Sequence, residues 1–243
     1  MTQSDEREDR LFALIVEEDM AMRIALDHLF SVILSRRAHA VATADEASAL
    51  LDQGRWPRVL IVGGGDVPGR TLTLIRTAAD LHPAPVIFFL DWRDRPEAGV
   101  EAFLAGADDV VCAPVSLKEF ALRLRARIGA EESGMLGDRV DLRADWDAEA
   151  DIVCRSGLTE AEAQVVNVLL ANSGEIVTRD ALSHAIDHRP WTYGDRKFDV
   201  HVAKIRKKLT AAFGQRISVR TVRSSGYVLT LEPVASTPPA PVE

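Results

Sequence analysis

Two cysteines in 243 residues, Cys112 and Cys154, are too few and too unpatterned for a disulfide framework or a zinc site, which fits a reducing compartment. Nowhere does the chain hold the ~18 consecutive apolar residues that a membrane-spanning helix requires, and residues 1–10 are too polar for a secretory signal. These absences predict a cytoplasmic protein without membrane contact. No internal repeat is visible, and no nucleophile–base pair or metal-ligating cluster stands out, so neither an enzyme nor a metal or cofactor is expected.

Positive charge is in the minority. Lys and Arg number 29 against 37 Asp and Glu, for a formal net charge of −8. The balance is segregated, however: residues 186–223 carry ten Lys/Arg against three acids (Asp187, Asp195, Asp199), so +7 there leaves −15 for the rest. A basic end on an acidic body predicts nucleic acid at that end only. With 47% hydrophobic and 27% charged residues, the composition is that of a globular chain long enough for one large or two small domains.

The basic end centres on residues 194–209. Phe198, Val202, Ile205 and Leu209 recur at spacings of 4, 3 and 4, which places them in one apolar stripe of a helix. Lys197, His201, Lys204 and Lys208 repeat the spacing one residue earlier and form a basic flank. Beyond Gly214, residues 216–223 and 227–231 alternate like two strands joined by a turn at Ser224-Ser225-Gly226, with Arg223 at the turn. Thr159 with Glu162 forms a capping box for an earlier helix, and Thr178 starts another. Three helices and a hairpin predict an α+β winged helix-turn-helix.

Leu158-Thr159, Val177-Thr178-Arg179, Asp199-Val200-His201-Val202, the run from Ile205 to Leu209, and Thr221-Val222-Arg223 to Gly226-Tyr227 together resemble the effector domain of OmpR/PhoB-type response regulators. That resemblance covers residues 138–232 and implies a sequence-specific, double-stranded-DNA-binding regulator of transcription, with short strands of a preceding small sheet near 139–142 and 152–155 and Trp146 packed there. Lys204 matches the family's base-reading position. Lys197, His201, Arg206 and Lys208 are expected at phosphates, and Arg223 either enters a minor groove or closes a strand-end ion pair. Tyr227 is expected in the core, with its hydroxyl free to reach a phosphate. The loop over 187–194 matches the family's RNA polymerase contact, where Trp191 and Tyr193 either anchor that interface or pack on their own domain.

The first 129 residues alternate strand and helix. Apolar runs at 11–16, 38–42, 58–62, 85–90 and 110–112 read as strands, and helical patterns at 22–34, after Thr43, 70–81, 97–104 and 116–128 separate them. Ser116 with Glu119 is expected to cap the last helix. This predicts an α/β doubly wound parallel sheet with helices on both faces. The alternation resembles the receiver domain of two-component response regulators, with flavodoxin-like strand order. Its landmarks are Glu17-Glu18, Pro68, Gly106-Ala107-Asp108-Asp109 and Pro114.

Receivers take a phosphoryl group on an aspartate four residues before the proline that Pro68 matches, and that position here is Gly64, which has no nucleophile. The family's hydroxyl residue becomes Leu90 and its lysine becomes Ala113, so only Glu17 and Glu18 remain of the pocket. The expectation is an atypical, phosphorylation-independent receiver; the alternatives are a displaced acceptor, Asp66, or a partner-binding module with secondary DNA contact. The resemblance also implies a homodimer through the receiver-like domain, with Asp109, Phe120 and Arg123 on the shared face. Residues 130–137 read as a linker, and the proline-rich stretch 233–243 as a disordered tail.

Overall fold

The chain divides into two compact units, Met1–Cys154 and Arg155–Glu243. The computed structural model describes residues 11–65, 68–91, 97–112, 114, 116–128 and 144–232. The expected linker, the strand near 139–142, the tail, Asp66 and Ala113 lie outside the described residues.

In the first unit, β1 (Ala13–Val16), β2 (Ala38–Val41), β3 (Val59–Gly63), β4 (Val86–Asp91) and β5 (Asp109–Cys112) form a parallel sheet in the order β2-β1-β3-β4-β5. They alternate with α1 (Met20–His28), α2 (Ala44–Asp52), α3 (Pro68–Ala79), α4 (Ala98–Ala105) and α5 (Leu117–Arg127). β1 and β3 are buried along their whole length, the reason they read as unbroken apolar runs. Alternate residues feed two cores. Ala13, Ile15, Val59, Ile61, Phe88 and Leu90 join Phe30 and Phe120 on one side, and Leu14, Val16, Leu60, Val62, Ile87 and Phe89 join Leu74 and Ile75 on the other. Each Val, Leu, Ile or Phe among them contributes roughly 1.5–3 kcal/mol on leaving water. The doubly wound fold is as expected.

Three local expectations fail. The pattern over 22–34 predicts one helix, but α1 ends at His28 and continues as a π-helical turn, Leu29–Ile33, in which the Leu34 N–H donates to Leu29 O at 2.8 Å. This looser turn accompanies the burial of Leu29, Phe30 and Leu34. Residues 152–155 are not a strand. They lie in α6 (Trp146–Ser156), where the Asp145 carboxylate accepts the Ala148 N–H at 3.2 Å as an N-cap. Trp146, Ala150 and Val153 are buried at helical spacing, where a strand would have alternated.

Trp146 and Ala150 belong to the core of the first unit, while the last two residues of α6, Arg155 and Ser156, fall in the second. The third failure follows from this. The Asp147 carboxylate accepts the Leu117 N–H at 3.0 Å and lies 3.3 Å from the Ser116 hydroxyl, so α6 caps α5 and Ser116 forms no side-chain cap of its own.

The second unit contains α7 (Glu160–Ala171), β6 (Val177–Thr178), α8 (Arg179–Asp187), α9 (Lys197–Phe213), β7 (Ile217–Val222) and β8 (Gly226–Leu231). Its three strands pair antiparallel in the order β6-β8-β7. The Thr159/Glu162 capping box forms, and the Thr178 hydroxyl accepts the Ala181 N–H at 3.0 Å. β6 crosses β8 at Gly226, where any Cβ would overlap the Val177 carbonyl. The result is the expected winged helix-turn-helix.

Candidate nucleic-acid interface

α9 buries Phe198, Val202, Ile205, Leu209 and Phe213, the stripe that the spacing predicts. Its opposite face exposes Val200, Ala203, Lys204 and Lys207, with Arg196 just ahead of the first turn. Among the described residues, the Lys204 and Lys207 ammonium groups have no hydrogen-bond or ion-pair partner, and neither has the Arg223 guanidinium. Arg223 stands exposed in the turn between β7 and β8, which the Ser225 N–H closes onto Val222 O at 3.1 Å. The face is therefore mixed: Lys204 and Lys207 follow Val200, which is 52% exposed, about one and two turns along the same face. Charge spacing alone does not find Val200; counting outward positions from the buried stripe would have.

The remaining basic residues are engaged. Lys208 donates to Glu162 at 2.6 Å and to Gly157 O at 2.7 Å. Glu162 is buried at 2% exposure. Burial pushes that carboxyl up, but the Lys208 hydrogen bond, with the Thr159 donors, outweighs it and holds the group below its ordinary value. Lys197 donates to Asp187 at 2.5 Å. Arg206 donates through Nε to Val219 O at 2.8 Å and through Nη2 to Thr221 Oγ1 at 3.2 Å. His201 is half-buried, and its Nδ1 has no partner among the described residues. Of the five basic positions expected on this flank, Lys204 alone is both exposed and unpartnered.

Tyr227 is buried, and its hydroxyl donates to Asp199 rather than standing free. Arg179 donates to the same carboxylate at 2.5 Å, and its guanidinium lies 4.9 Å from the Tyr227 ring centroid. The Arg179 hydrogen bond, against some burial, holds Asp199 below the usual carboxylate range, and burial followed by the Asp199 bond pushes the Tyr227 phenol up. This trio ties the start of α8, the first turn of α9 and β8 together. Sequence spacing misses it because its members are 20 and 28 residues apart.

In the loop before α9, Trp191 donates through Nε1 to Asp195 O at 3.2 Å, and its N–H donates to Asp180 at 2.9 Å. Tyr193 is 94% exposed, and its ring forms a T-shaped pair with that of Trp191 at a centroid distance of 6.2 Å. Trp191 thus packs on its own domain while Tyr193 projects.

At the carboxyl ends of β1, β3 and β4, three consecutive glycines are occupied by their neighbours' side chains. A Cβ on Gly63 would overlap the Glu17 carboxylate, one on Gly64 would lie 3.1 Å from the Phe89 ring and 3.2 Å from Leu90 O, and one on Gly65 would lie 2.8 Å from Glu18 Oε2. Glu17 is buried and accepts the Asp19 N–H at 2.9 Å, while Arg23 donates to Glu17 O at 2.6 Å. Leu90 is fully buried.

The residues expected on a dimer face divide. Phe120 is fully buried against Phe30 and Phe88, at centroid distances of 6.4 and 5.0 Å, so it is core and not surface. Asp109 pairs within its own chain with Arg123 at 3.4 Å and Arg127 at 3.6 Å. Exposed apolar residues also lie on these helices: Val100, Phe103 and Leu104 on α4, and Leu122 on α5.

Comparison with known proteins places both units. Residues 155–229 match the family described as "Transcriptional regulatory protein, C terminal". The chain is 31% identical over 160 residues to the heme response regulator HssR of Staphylococcus epidermidis, covering 63% of this chain and 70% of that one. It is 28% identical over 223 residues to the transcriptional activator protein PfeR of Pseudomonas aeruginosa, covering 89% and 72% respectively. Against the transcriptional regulatory protein PhoP of Escherichia coli it is 28% identical over 229 residues, 90% of this chain and 98% of that one. Among the described residues no helix is long and apolar enough to cross a membrane. With a five-stranded parallel sheet followed by a winged helix whose basic face is open, the chain belongs to the OmpR/PhoB family of transcriptional response regulators.

Proposed function

We propose that the chain reads a specific DNA sequence as a dimer and that its first unit works without aspartyl phosphorylation. One observation carries the reading: α9 buries one whole stripe and leaves Val200, Lys204 and Lys207 facing solvent, with Arg223 free on the neighbouring turn. A helix of that form suits the major groove, where a lysine donates to a guanine edge and an apolar group meets a thymine methyl. Lys204 takes the first role and Val200 the second. Arg196, Lys207 and the half-buried His201 meet phosphates, and Arg223 enters the minor groove. Lys197, held by Asp187, adds its charge to the field without direct contact.

For the dimer, the exposed apolar residues of α4 support a second copy docked there: Val100, Phe103 and Leu104 are 58%, 51% and 82% exposed. Two-fold pairing would set half-sites about 10 base pairs apart. Tyr193 is the projecting anchor for RNA polymerase. Phosphorylation independence rests on Gly64, which offers no acceptor, on Leu90, which offers no hydroxyl, and on the Phe89 ring against the glycine.

Three measurements test this reading. Anisotropy on duplexes recovered from a random pool should give a log–log salt slope near −5, as ~6 phosphate contacts require; a flat response would favour a partner-binding module instead. Intact mass after acetyl phosphate and magnesium should be unchanged, and a phosphoryl addition lost in Asp66→Asn would overturn phosphorylation independence. Sedimentation should find dimers, and Leu104→Asp should give monomers.

A further inference from the structure

We propose that Arg206 is a positioning residue that makes the wing move with the recognition helix, so that base reading by α9 and minor-groove entry by Arg223 occur as one event. The inference rests on the DNA-binding reading above and assigns Arg206 a role that its place in the basic run conceals.

A guanidinium presents donors in a rigid planar fork, and two of those donors are spent inside the protein. Nε reaches Val219 O at 2.8 Å and Nη2 reaches Thr221 Oγ1 at 3.2 Å, both on β7. Beneath the fork, Ile205 of α9 and Val219 of β7 are both buried. The fork therefore fixes the strand against the helix at its solvent edge as well as in its core. Thr221 is two residues from Arg223, a distance of roughly 7 Å along a strand. Register carries the restraint further: Val222 pairs with Gly226, and a Cβ at Gly226 would overlap the Val177 carbonyl of β6, so the far side of the hairpin is fixed as well. Between these two restraints, Arg223 is held in a set relation to Lys204. A single lysine ammonium at position 206 would keep the charge but lose the planar two-donor geometry.

The role separates from a phosphate contact by three readouts on a duplex that the wild-type chain recovers from a random pool. Arg206→Lys retains the charge. As a phosphate contact it would bind within about twofold of wild type, whereas as a positioning fork it should weaken binding about as much as Arg206→Ala. The salt slope decides independently: Arg206→Lys would keep a phosphate contact and with it the wild-type slope, whereas uncoupling the wing withdraws Arg223 from DNA and lowers the magnitude of the slope by up to ~1. In a double-mutant cycle, Arg223→Ala should weaken wild type about tenfold but the Arg206→Lys protein less than threefold, because the wing is already uncoupled. Thr221→Val removes one acceptor from an exposed site without touching charge, and should reproduce the coupling with a smaller loss even if the Arg206 variants are poorly folded. Near-wild-type binding by Arg206→Lys, an unchanged salt slope in Arg206→Lys, or additive losses with Arg223→Ala would each overturn the inference while leaving DNA binding intact. Failure of the wild-type chain to bind any recovered duplex would instead overturn the function and this inference together.

Discussion

Both units bury glutamates, and Glu162 of the second and Glu17 of the first have different surroundings. Glu162 in the second unit is met by Lys208, brought from 46 residues away, and by the Thr159 cap. Glu17 in the first unit lies over a backbone stripped of side chains, where Gly63 leaves the space its carboxylate fills. In one case a cation leaves the surface to match an acid; in the other, side chains are deleted to make room for one. The basic run on α9 therefore overstates the charge available to DNA, and the glycine run on β3 overstates the looseness of its turn. A cation count and a glycine count mislead for the same reason: neither says what stands opposite.

Glycine substitutions sharpen the contrast most. At Gly226 the obstructing neighbour is backbone, the Val177 carbonyl and Thr178 Cα, so Gly226→Ala must break the β6–β8 pairing. At Gly63 the obstruction is the carboxylate end of Glu17, which can swing. Gly226→Ala should destabilise the second unit by roughly 3 kcal/mol or more, and Gly63→Ala by about half as much. Denaturant titration of each variant checks the order, and equal losses would mean that Glu17 is held as rigidly as a strand.

Much of this was legible beforehand. The alternation of strands and helices, the Thr159/Glu162 capping box and the buried stripe of α9 follow from local periodicity and capping chemistry, which act within a few residues of sequence, and the strand order follows from the receiver resemblance. What stayed hidden depends on distant partners. The Arg179–Asp199–Tyr227 trio, the Lys208–Glu162 pair and the Arg206 fork join residues 13 to 46 apart, and nothing in the spacing of α9 distinguishes Lys204, which is free, from Lys208, which is not. Phe120 was misplaced likewise, because a helix carrying Arg123, Arg125 and Arg127 still turns one face to the sheet. The strand expected at 152–155 failed because Asp145 and Trp146, which start α6, lie upstream of the window that suggests it.

Acid separates the units next. His28 is 3% exposed, neither ring nitrogen has a partner among the described residues, and burial pushes its imidazole down from 6.5 to about 4. Below pH 6.5 the unfolded chain takes up a proton that the folded first unit refuses until about 4. Stability is thus intact above 6.5 and lost as pH falls toward 4, by about 3 kcal/mol in all. The chain with His28→Leu should lack that part of the decline in a pH series of thermal melts, and an unchanged decline would place the acid sensitivity elsewhere.

Two lysines one turn apart on α9 then separate structure from recognition. Lys208→Met strands the Glu162 carboxylate at 3% side-chain exposure without its cation. Removing one partner of a buried pair costs about 3–5 kcal/mol, which the partial exposure of Lys208 reduces to roughly 2. Lys204→Ala should leave stability within about 0.5 kcal/mol and weaken DNA binding at least tenfold, with loss of base preference at one position. Melting curves and pool selection on both variants test the division, and a stable Lys208→Met protein with weakened DNA binding would reverse the assignment.

The smallest expected effect is none at all. Gly64→Asp returns a carboxylate to the position where receivers carry their acceptor, yet its Cβ would stand 3.1 Å from the Phe89 ring and 3.2 Å from Leu90 O, so it enters against packed atoms. Even if Phe89 gives way, Leu90 supplies no hydroxyl and position 113 supplies alanine, so nothing steadies the phosphoryl oxygens as charge builds on them. Intact mass after acetyl phosphate and magnesium should match that of the untreated variant. Adding Phe89→Leu, Leu90→Thr and Ala113→Lys restores room, hydroxyl and ammonium together, and if the pocket's architecture is otherwise that of a receiver, only this combination should gain a phosphoryl group. Phosphorylation of Gly64→Asp alone would mean that the glycine was the sole lesion and that the Phe89 ring moves aside readily.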